Sequence, residues 1–238
     1  MAKEIDLGHI RFNSQKEAEE YFRAILNKYE KWQEIIDMDQ VDLRALLERH
    51  PEAKNKIGCG IKRLYIGEDP EFHGKCFNLE RIDGSSTDFS YKTCIKGKAK
   101  TLDQDFSQAC RDAIWQQLFE AKKAYFEKYH DENGMVKCEV SGKLYKFEEV
   151  HADHMAPLTF EVLVNNFKAA LNIMPSYDIL TKPADNQSQA KFIDDRIKIL
   201  FQDYHSKAAK LRFVGAKENS SLSAKHRIRE PKRPIKLG

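Results

Sequence analysis

The sequence predicts an α+β protein with two domains joined by a helix, and three observations support this. With 238 residues, 41% of them hydrophobic, the chain can bury one large core or two small ones. Apolar residues at helical spacing give way twice to short β-forming stretches separated by glycines and polar residues. A long helical pattern over residues 101–134 separates an N-terminal domain, residues 1–100, from a C-terminal domain, residues 135–238.

The N-terminal domain is predicted to begin with two helices and to continue as a small sheet. Apolar residues recur at helical spacing over residues 14–29, where Ser14 followed by Glu17 is typical of a capping box. A second helix is expected over residues 39–48, because Pro51 prevents it from continuing. Glycines then separate three predicted strands, at residues 61–66, 75–81 and 88–94.

The remaining elements begin with the linking helix over residues 101–134. Phe106, Cys110 and Ile114 lie on one face of it, and the polar run before Gly134 ends it. The C-terminal domain is then predicted to contain a strand, two helices, a second strand and a final helix, at residues 143–150, 159–171, 190–209, 211–214 and 217–227.

The charge balance indicates how the chain could meet a polyanion. Charged residues make up 32% of the sequence, but the formal net charge is only +3, so a nucleic acid would have to bind a local basic surface. The last fourteen residues, 225–238, contain six lysines or arginines and one glutamate. This basic tail is a candidate surface, and a solvated tail without a partner is the alternative explanation.

Two absences in the sequence narrow the classes of protein. No run of about 18 apolar residues could span a membrane, and the N-terminus lacks the apolar core of a secretory signal, so we expect a cytoplasmic protein without a membrane partner. Five widely spaced cysteines include no CxxC pair. We therefore expect neither a disulfide framework nor a structural zinc.

The tetrad His151, Ala152, Asp153, His154 is the strongest chemical signal in the chain. It follows a predicted strand, while Asn219 lies in the first turn of the final predicted helix. A hard cation such as Mg²⁺ prefers oxygen ligands, which Asp153 and Asn219 can supply. Histidine ordinarily has a pKa near ~6.5, so His154 suits the general base that activates a water for phosphodiester hydrolysis.

Other residues remain open for supporting roles at this site. His151 could contact a phosphate or support the metal ligands. Asn165 or Asn166 could replace Asn219 as a ligand, although both fall within a predicted helix. His205 could support the metal loop, or it could stabilise the end of its helix through the helix dipole.

Two segments of the C-terminal domain resemble the HNH, or ββα-metal, endonucleases. They are CEVSGKLYKFEEVHADHMAPLTF, which contains the tetrad, and LRFVGAKENSS, which contains Asn219. The resemblance implies a ββα-metal nuclease domain in which Asp153 and Asn219 bind Mg²⁺ or Mn²⁺ and His154 is the base. Since 65 residues separate His154 from Asn219, more than is usual for the family, a helical insertion is expected between the two segments.

The N-terminal domain resembles the DCL family, named for defective chloroplasts and leaves. The matching blocks are LLERHPEAKNKIGCGIKRLYI and CFNLERIDGSSTDFSYKTCI. The resemblance implies a module associated with nucleic acid but transfers no catalytic residue.

Basic residues of the two domains are the predicted nucleic-acid contacts. Glycine-rich turns beside basic side chains can bind phosphates, and Arg81 could add contacts to base edges. The alternative is that Gly58 and Gly60 only form a tight turn. The predicted contacts are His151, Lys54, Lys56, Lys62, Arg63, Arg81, Lys225, His226 and Arg227.

Together these features predict a metal-dependent endonuclease for double-stranded DNA, of the restriction type found in bacteria or phages. A homodimer would let two active sites cut two strands. A homing or nicking endonuclease is one alternative. A nucleic-acid-binding factor without catalysis and an RNA-processing nuclease are the others.

Overall fold

The computed structural model describes residues 4–69, 74–182 and 189–225, with side chains up to Ser220. The chain divides after Lys100 into two compact units. Unit 1 comprises the described residues up to Lys100, and unit 2 those from Thr101 onward. Both units mix helices with small antiparallel sheets, so the fold is α+β. No helix in the described ranges is long and apolar enough to cross a membrane.

Unit 1 contains helices packed on a three-stranded antiparallel sheet of order β3-β4-β5. Helix α1 begins after Ser14, whose hydroxyl accepts a hydrogen bond from the backbone N–H of Glu17, which confirms the predicted cap. In chain order the elements are β1 (Ile5–Asp6), β2 (Arg11–Phe12), α1 (Gln15–Lys28), α2 (Asp37–Leu47), α3 (Ala53–Ile57), β3 (Ile61–Glu68), β4 (Lys75–Arg81), β5 (Ser86–Phe89) and α4 (Tyr91–Lys96).

The third predicted strand, over residues 88–94, is wrong for most of its length. Strand β5 ends at Phe89, and the hydroxyl of Ser90 accepts from the N–H of Thr93 to begin α4. Helix α4 buries Cys94 and Ile95 in the core of unit 1, so residues that often form strands are helical here. Local capping by Ser90 and burial of these two side chains outweigh strand propensity here.

Unit 2 begins with two helices in place of the predicted linking helix. Ile114, with φ −100° and ψ 2°, lies between them and is fully buried. The elements are α5 (Leu102–Ala113), α6 (Trp115–Tyr129), β6 (Val136–Lys137), β7 (Leu144–Tyr145), β8 (Val150–His154), α7 (Phe160–Ala170), α8 (Asp195–Ala208), β9 (Leu211–Gly215) and α9 (Ala216–Lys225).

The segment 101–134 is part of unit 2 and does not form a separate linker. Phe106 and Cys110 of α5 share one buried cluster with Phe167 of α7 and Phe201 of α8. Burying that apolar surface in common stabilises the three helices as one core. The described residues between β8 and β9 include α7 and α8, and this helical segment separates the two motif segments.

The tetrad forms strand β8 itself, whereas the sequence predicted a strand ending before it. Leu144 and Tyr145 pair with β6, and residues Phe147–Glu149 form a 3₁₀ turn that separates them from β8. Strand β8 pairs antiparallel with β9, with Asp153 opposite Arg212 and His151 opposite Val214. Helix α9 follows β9 without a loop. Two antiparallel strands and a helix thus meet around the tetrad.

Candidate active site

The pleat of β8 divides the tetrad between two faces. Successive side chains of a strand point to opposite faces, so His151 and Asp153 share one face and His154 lies on the other. His151 is exposed and Asp153 is half-buried, while His154 is buried together with Val150. The exposed face therefore offers a carboxylate and an imidazole two residues apart.

Asp153 is held by an arginine directly across the sheet. Arg212 donates from Nε and Nη2 to the same oxygen, Oδ2 of Asp153, at 2.8 and 2.7 Å. The two side chains are 22% and 25% exposed, so this ion pair is shielded from water better than a surface pair. In the described part of the chain Oδ1 of Asp153 has no hydrogen-bond partner, so it can accept another ligand.

Helix α9 brings Asn219 to the same face of β8. Nδ2 of Asn219 lies 3.5 Å from Nδ1 of His151. The start of the helix is anchored because Tyr145 donates its hydroxyl hydrogen to the carboxylate of Glu218. A Cβ at Gly215 would lie 2.6 Å from the Tyr145 ring, so only glycine permits this close approach. The packing therefore places the amide of Asn219 on the side where Asp153 also lies.

His154 forms a buried pair with His205 of α8. The two Nε2 atoms are 2.9 Å apart, and Nδ1 of His205 lies 2.8 Å from Oε1 of Gln117 on α6. Burial lowers the pKa of His154 to about 3, and the neighbouring His205 and Arg111 add to this shift. Burial also lowers the pKa of His205, to about 4. Both rings are therefore neutral at pH 7, and the ordinary pKa near 6.5 that favoured His154 as general base does not hold in the folded protein.

The exposed face suits a hard divalent cation. Asp153 offers a carboxylate oxygen and Asn219 an amide oxygen, the donor types that Mg²⁺ and Mn²⁺ take. Across the described ranges no group of three or more His, Cys, Asp or Glu side chains could hold a metal. A site with one carboxylate and one amide is compatible with Mg²⁺, which keeps several waters and binds substrate phosphates.

The alternative prediction that Asn166 could replace Asn219 as a metal ligand does not fit the structure. It lies in α7 and is only 1% exposed, beside the core residues Leu163 and Phe167. A cation and a phosphate could not reach it without opening that core. Asn165 is half-buried on the same helix, and no hydrogen bond among the described residues joins it to the tetrad. Asn219 is thus the asparagine that the structure brings next to β8.

The predicted phosphate contacts of Lys56 and base contacts of Arg81 also need correction, because both side chains are buried. Lys56 donates to Thr87 Oγ1 at 2.9 Å and to the carbonyl of Asp88 at 2.8 Å. Arg81 donates to the carbonyls of Asn55 and Lys56 and to Ser85 Oγ. These bonds close the loop around Gly58, so the two cations serve the packing of unit 1.

The other predicted basic contacts in unit 1 lie at its surface. Lys54 is exposed, and Lys62 and Arg63 each bind a different oxygen of Glu80 at 2.6 Å. The guanidinium of Arg63 also lies 5.0 Å from the ring centroid of Tyr65. These three residues remain candidates for phosphate contact.

The side chains of the predicted contacts at the end of α9 and after it lie outside the described part of unit 2. Lys225 is the last residue of α9, and its side chain is not described. His226 and Arg227 lie outside the described residues. The prediction for the basic tail therefore stays a prediction.

Sequence reasoning missed two residues, one that contacts the tetrad directly and one that contacts it through His205. Arg212 could be found only from the register of β8 and β9, which places it opposite Asp153. Gln117 lies 88 residues from its partner His205, and no local pattern marks it. His205 was considered near the site, but as support for a metal loop and not as the partner of His154.

Comparison with known proteins finds relatives for unit 1. Residues 23–95 match a family described as a protein of unknown function, DUF3223. The chain is 46% identical over 59 residues to "Protein DCL homolog, chloroplastic" of Arabidopsis thaliana, covering 24% of this chain and 27% of that protein. It is 32% identical over 80 residues to "DNA-directed RNA polymerase IV subunit 1" of the same plant, covering 34% and 6%.

One solved structure is also similar to this chain. The solution NMR structure of an uncharacterized protein from Rhodospirillum rubrum is 31% identical, with a TM-score of 0.37, over 40% of this chain and 89% of that one. The chain spans less than a third of the length of these two plant relatives. The N-terminal unit of this protein carries a DUF3223 domain with relatives in the DCL family.

Proposed function

We propose that this protein is a metal-dependent endonuclease that hydrolyses phosphodiester bonds of double-stranded DNA. One observation carries the proposal: the contact between Asn219 and His151 brings the amide to the face of β8 that also bears Asp153. These are the two oxygen donors that the resemblance to HNH endonucleases assigns to the cation. The order β8, β9, α9 supports a ββα-metal domain with a helical insertion.

The residues of unit 2 have separate roles in this proposal. A bound Mg²⁺ or Mn²⁺ would neutralise charge on the scissile phosphate and the leaving oxygen. Asp153 and Asn219 would hold the cation through their side-chain oxygens. His154 is the base that the resemblance assigns; its ring lies on the buried face at the last residue of β8, and Nδ1 is the atom that would accept the proton of the attacking water. His151, exposed beside Asn219, would contact a phosphate oxygen.

Unit 1 would bind the nucleic acid. One relative of this unit is named as a DNA-directed RNA polymerase subunit, which is consistent with a module that works beside nucleic acid. Lys54, Lys62 and Arg63 would contact phosphates from the surface of this unit. We infer a restriction-type enzyme, with a homodimer as the simplest way to cut two strands. A homing or nicking role would use the same chemistry.

A nucleic-acid-binding factor without catalysis is the second candidate. It is favoured by the side chain of Trp32, which is 65% exposed and stacks on Tyr65 with ring centroids 6.4 Å apart. Arg63 covers the same Tyr65 ring. Exposed aromatic rings beside a cation can stack on unpaired bases. In this case unit 1 would be the working part of the protein.

The test is cleavage of supercoiled plasmid by the full chain in Mg²⁺, in Mn²⁺ and in EDTA. We expect nicked or linear product only with the metals, and a loss of at least about a hundredfold in rate for His154→Ala and Asn219→Ala. His130→Ala and Asp195→Asn change exposed residues of unit 2 and should keep full activity. Binding without cleavage would favour the second candidate, and cleavage of structured RNA in preference to duplex DNA would indicate an RNA-processing nuclease.

A further inference from the structure

The hydrogen bond between His154 and His205 needs a defined arrangement of protons. Two imidazole nitrogens 2.9 Å apart can bond only if one carries a hydrogen and the other a lone pair. The residues are 7% and 3% exposed, and such burial disfavours the cationic form of either ring. Each neutral ring therefore has one N–H, and the question is which nitrogen of His154 carries it.

Gln117 decides the arrangement from the far end of the chain of bonds. Its Nε2 lies 3.0 Å from the backbone carbonyl oxygen of Gln202, which can only accept. The amide nitrogen must therefore face Gln202, and Oε1 must face His205 at 2.8 Å. Since Oε1 can only accept, Nδ1 of His205 carries the hydrogen.

The remaining protons follow in order. With its hydrogen on Nδ1, neutral His205 has a lone pair on Nε2. His154 must then donate from its own Nε2, which leaves the lone pair of His154 on Nδ1. No described residue forms a hydrogen bond with this Nδ1 atom. Helix α8 is also joined to α5, because Gln202 Nε2 donates to the carbonyl of Ala113 at 2.7 Å.

We propose that Gln117 and His205 are positioning residues that fix His154 as the Nε2–H tautomer and so leave its Nδ1 lone pair free to accept a proton. This inference rests on the proposed nuclease function for the role of the lone pair, but the tautomer itself follows from the hydrogen bonds. A general base needs both the correct orientation and the correct tautomer. The donor and acceptor chain from the Gln202 carbonyl supplies both.

The tautomer can be read without DNA or metal. We would record long-range ¹H–¹⁵N spectra of the full chain with ¹⁵N-labelled histidine at pH 7.5, and assign His154 by the signals missing in His154→Ala. We expect the pattern of a neutral ring with hydrogen on Nε2 and a lone pair on Nδ1. A hydrogen on Nδ1 of His154 in the unmodified protein would overturn the inference whatever the activity.

Three variants separate positioning from packing. Gln117→Leu removes the acceptor, Gln117→Glu keeps it, and Gln116→Leu changes the exposed neighbour on the same helix. Gln117→Leu should give mixed tautomers of His154 and roughly a tenfold or greater loss of plasmid cleavage. Gln117→Glu puts a carboxylate against Nδ1 of His205 and favours the cationic form of that ring, in which both nitrogens donate, so the hydrogen of His154 should move to Nδ1 and cleavage should fall as well. Gln116→Leu should retain the tautomer and cleave within about threefold of the unmodified protein.

The outcomes distinguish this inference from the proposed function. Gln117→Leu that folds, by circular dichroism, and keeps both tautomer and rate would overturn the positioning role. A hydrogen that stays on Nε2 of His154 in Gln117→Glu would also overturn it, because the protons of His205 would then not set the tautomer of His154. Unmodified protein that shows the expected tautomer but cleaves no plasmid would refute the nuclease while leaving the assigned hydrogen-bond chain in place.

Discussion

Arg212 of β9 lies directly opposite Asp153 of β8, and its Nη2 atom is 2.7 Å from Oδ2 of the carboxylate. Both nitrogens that reach Asp153 use this one oxygen. The arginine therefore orients the carboxylate and directs Oδ1 elsewhere. It also places a positive charge next to a proposed cation site, so the pair has opposing effects on stability and on metal binding.

The first prediction concerns that opposition. Arg212→Met should lower the free energy of unfolding of unit 2 by about 1–3 kcal/mol, since hydrogen bonds to a charged group are lost. The same variant should lower the Mg²⁺ concentration that gives half-maximal cleavage by roughly threefold, because a repelling charge a few Å away is gone. Urea unfolding and a Mg²⁺ titration of plasmid cleavage measure the two effects.

A matched control for this variant is Arg196→Met. Arg196 pairs with Asp194 at the surface of the same unit, with the arginine 87% exposed. It should change neither quantity by a measurable amount. If Arg212→Met needs a higher Mg²⁺ concentration for half-maximal cleavage than the unmodified protein, Asp153 is not a cation ligand that this arginine weakens.

The second prediction is that acid destabilises unit 2 before its carboxylates titrate. The pKa values of His154 and His205 are lowered to about 3 and about 4, from an ordinary value of 6.5. Between the folded pKa values and 6.5 the unfolded chain binds more protons than the folded one. The free energy of unfolding that the neutral pair contributes is therefore fully present above pH 6.5 and falls as the pH decreases below it. Each histidine should contribute a slope of about 1.4 kcal/mol per pH unit.

Urea unfolding between pH 7 and pH 5 measures this slope. Trp32→Phe leaves Trp115 as the fluorescent probe of unit 2, since the chain has two tryptophans. His205→Gln should make the slope shallower, and His130→Gln, which changes an exposed histidine, should not. A stability that does not change from pH 7 to pH 5 would show that the pair is not buried in neutral form.

The third prediction compares two glycines of unit 1 that both have positive φ. Gly58 has φ +54°, and a Cβ there would lie 2.9 Å from Cδ of Arg81. Gly84 has φ +84° and open space around its Cβ position. Gly84→Ala should cost about 1–2 kcal/mol from backbone strain alone. Gly58→Ala should cost about 1–3 kcal/mol more, because Arg81 must leave the carbonyls it holds.

Denaturant unfolding followed through Trp32 would measure both variants. The difference between them isolates the contact with Arg81 from the strain that they share. Equal costs would mean that Arg81 can move aside without losing its bonds to Asn55 and Lys56.

The fourth prediction concerns nucleic-acid binding by unit 1. If Arg63 contacts a phosphate, Arg63→Gln should weaken binding of a DNA duplex and reduce the slope of log affinity against log salt by about 0.9. Lys16→Gln, which removes an exposed charge from α1, should leave the slope unchanged. Fluorescence anisotropy in a salt series, with EDTA to prevent cleavage, gives the slope. Identical slopes for Arg63→Gln and the unmodified protein would exclude this contact.

The sequence predicted most elements because local signals suffice for them. Ser14 with Glu17 begins α1, and apolar spacing marks α7 and α8. The break at Ile114 escaped prediction because the apolar face continues through it. The burial of Lys56 and Arg81 could not be predicted for a different reason. Both cations are buried because polar groups 25 to 32 residues away in the sequence accept hydrogen bonds from them.

The candidate site was predictable by residue type but not by arrangement. Asp153, His154 and Asn219 stand out as reactive groups in two short segments. Which face each occupies depends on where β8 begins, and a shift of the strand by one residue would exchange the faces. The predicted strand ended too early, so the inward direction of His154 and its partner His205 could not be inferred. Their bond requires the packing of α8 against β8, which is a tertiary property.

The position of the helical segment between β8 and β9 has a consequence for biosynthesis. Strand β8 cannot pair, and Asn219 cannot approach His151, until α7 and α8 have been made and β9 has left the ribosome. A nascent chain that stops anywhere before Leu211 therefore carries His154 and Asp153 on an unpaired strand. The candidate site therefore assembles only after translation of the helical segment, β9 and the start of α9, and any hydrolytic activity of this protein would appear no earlier.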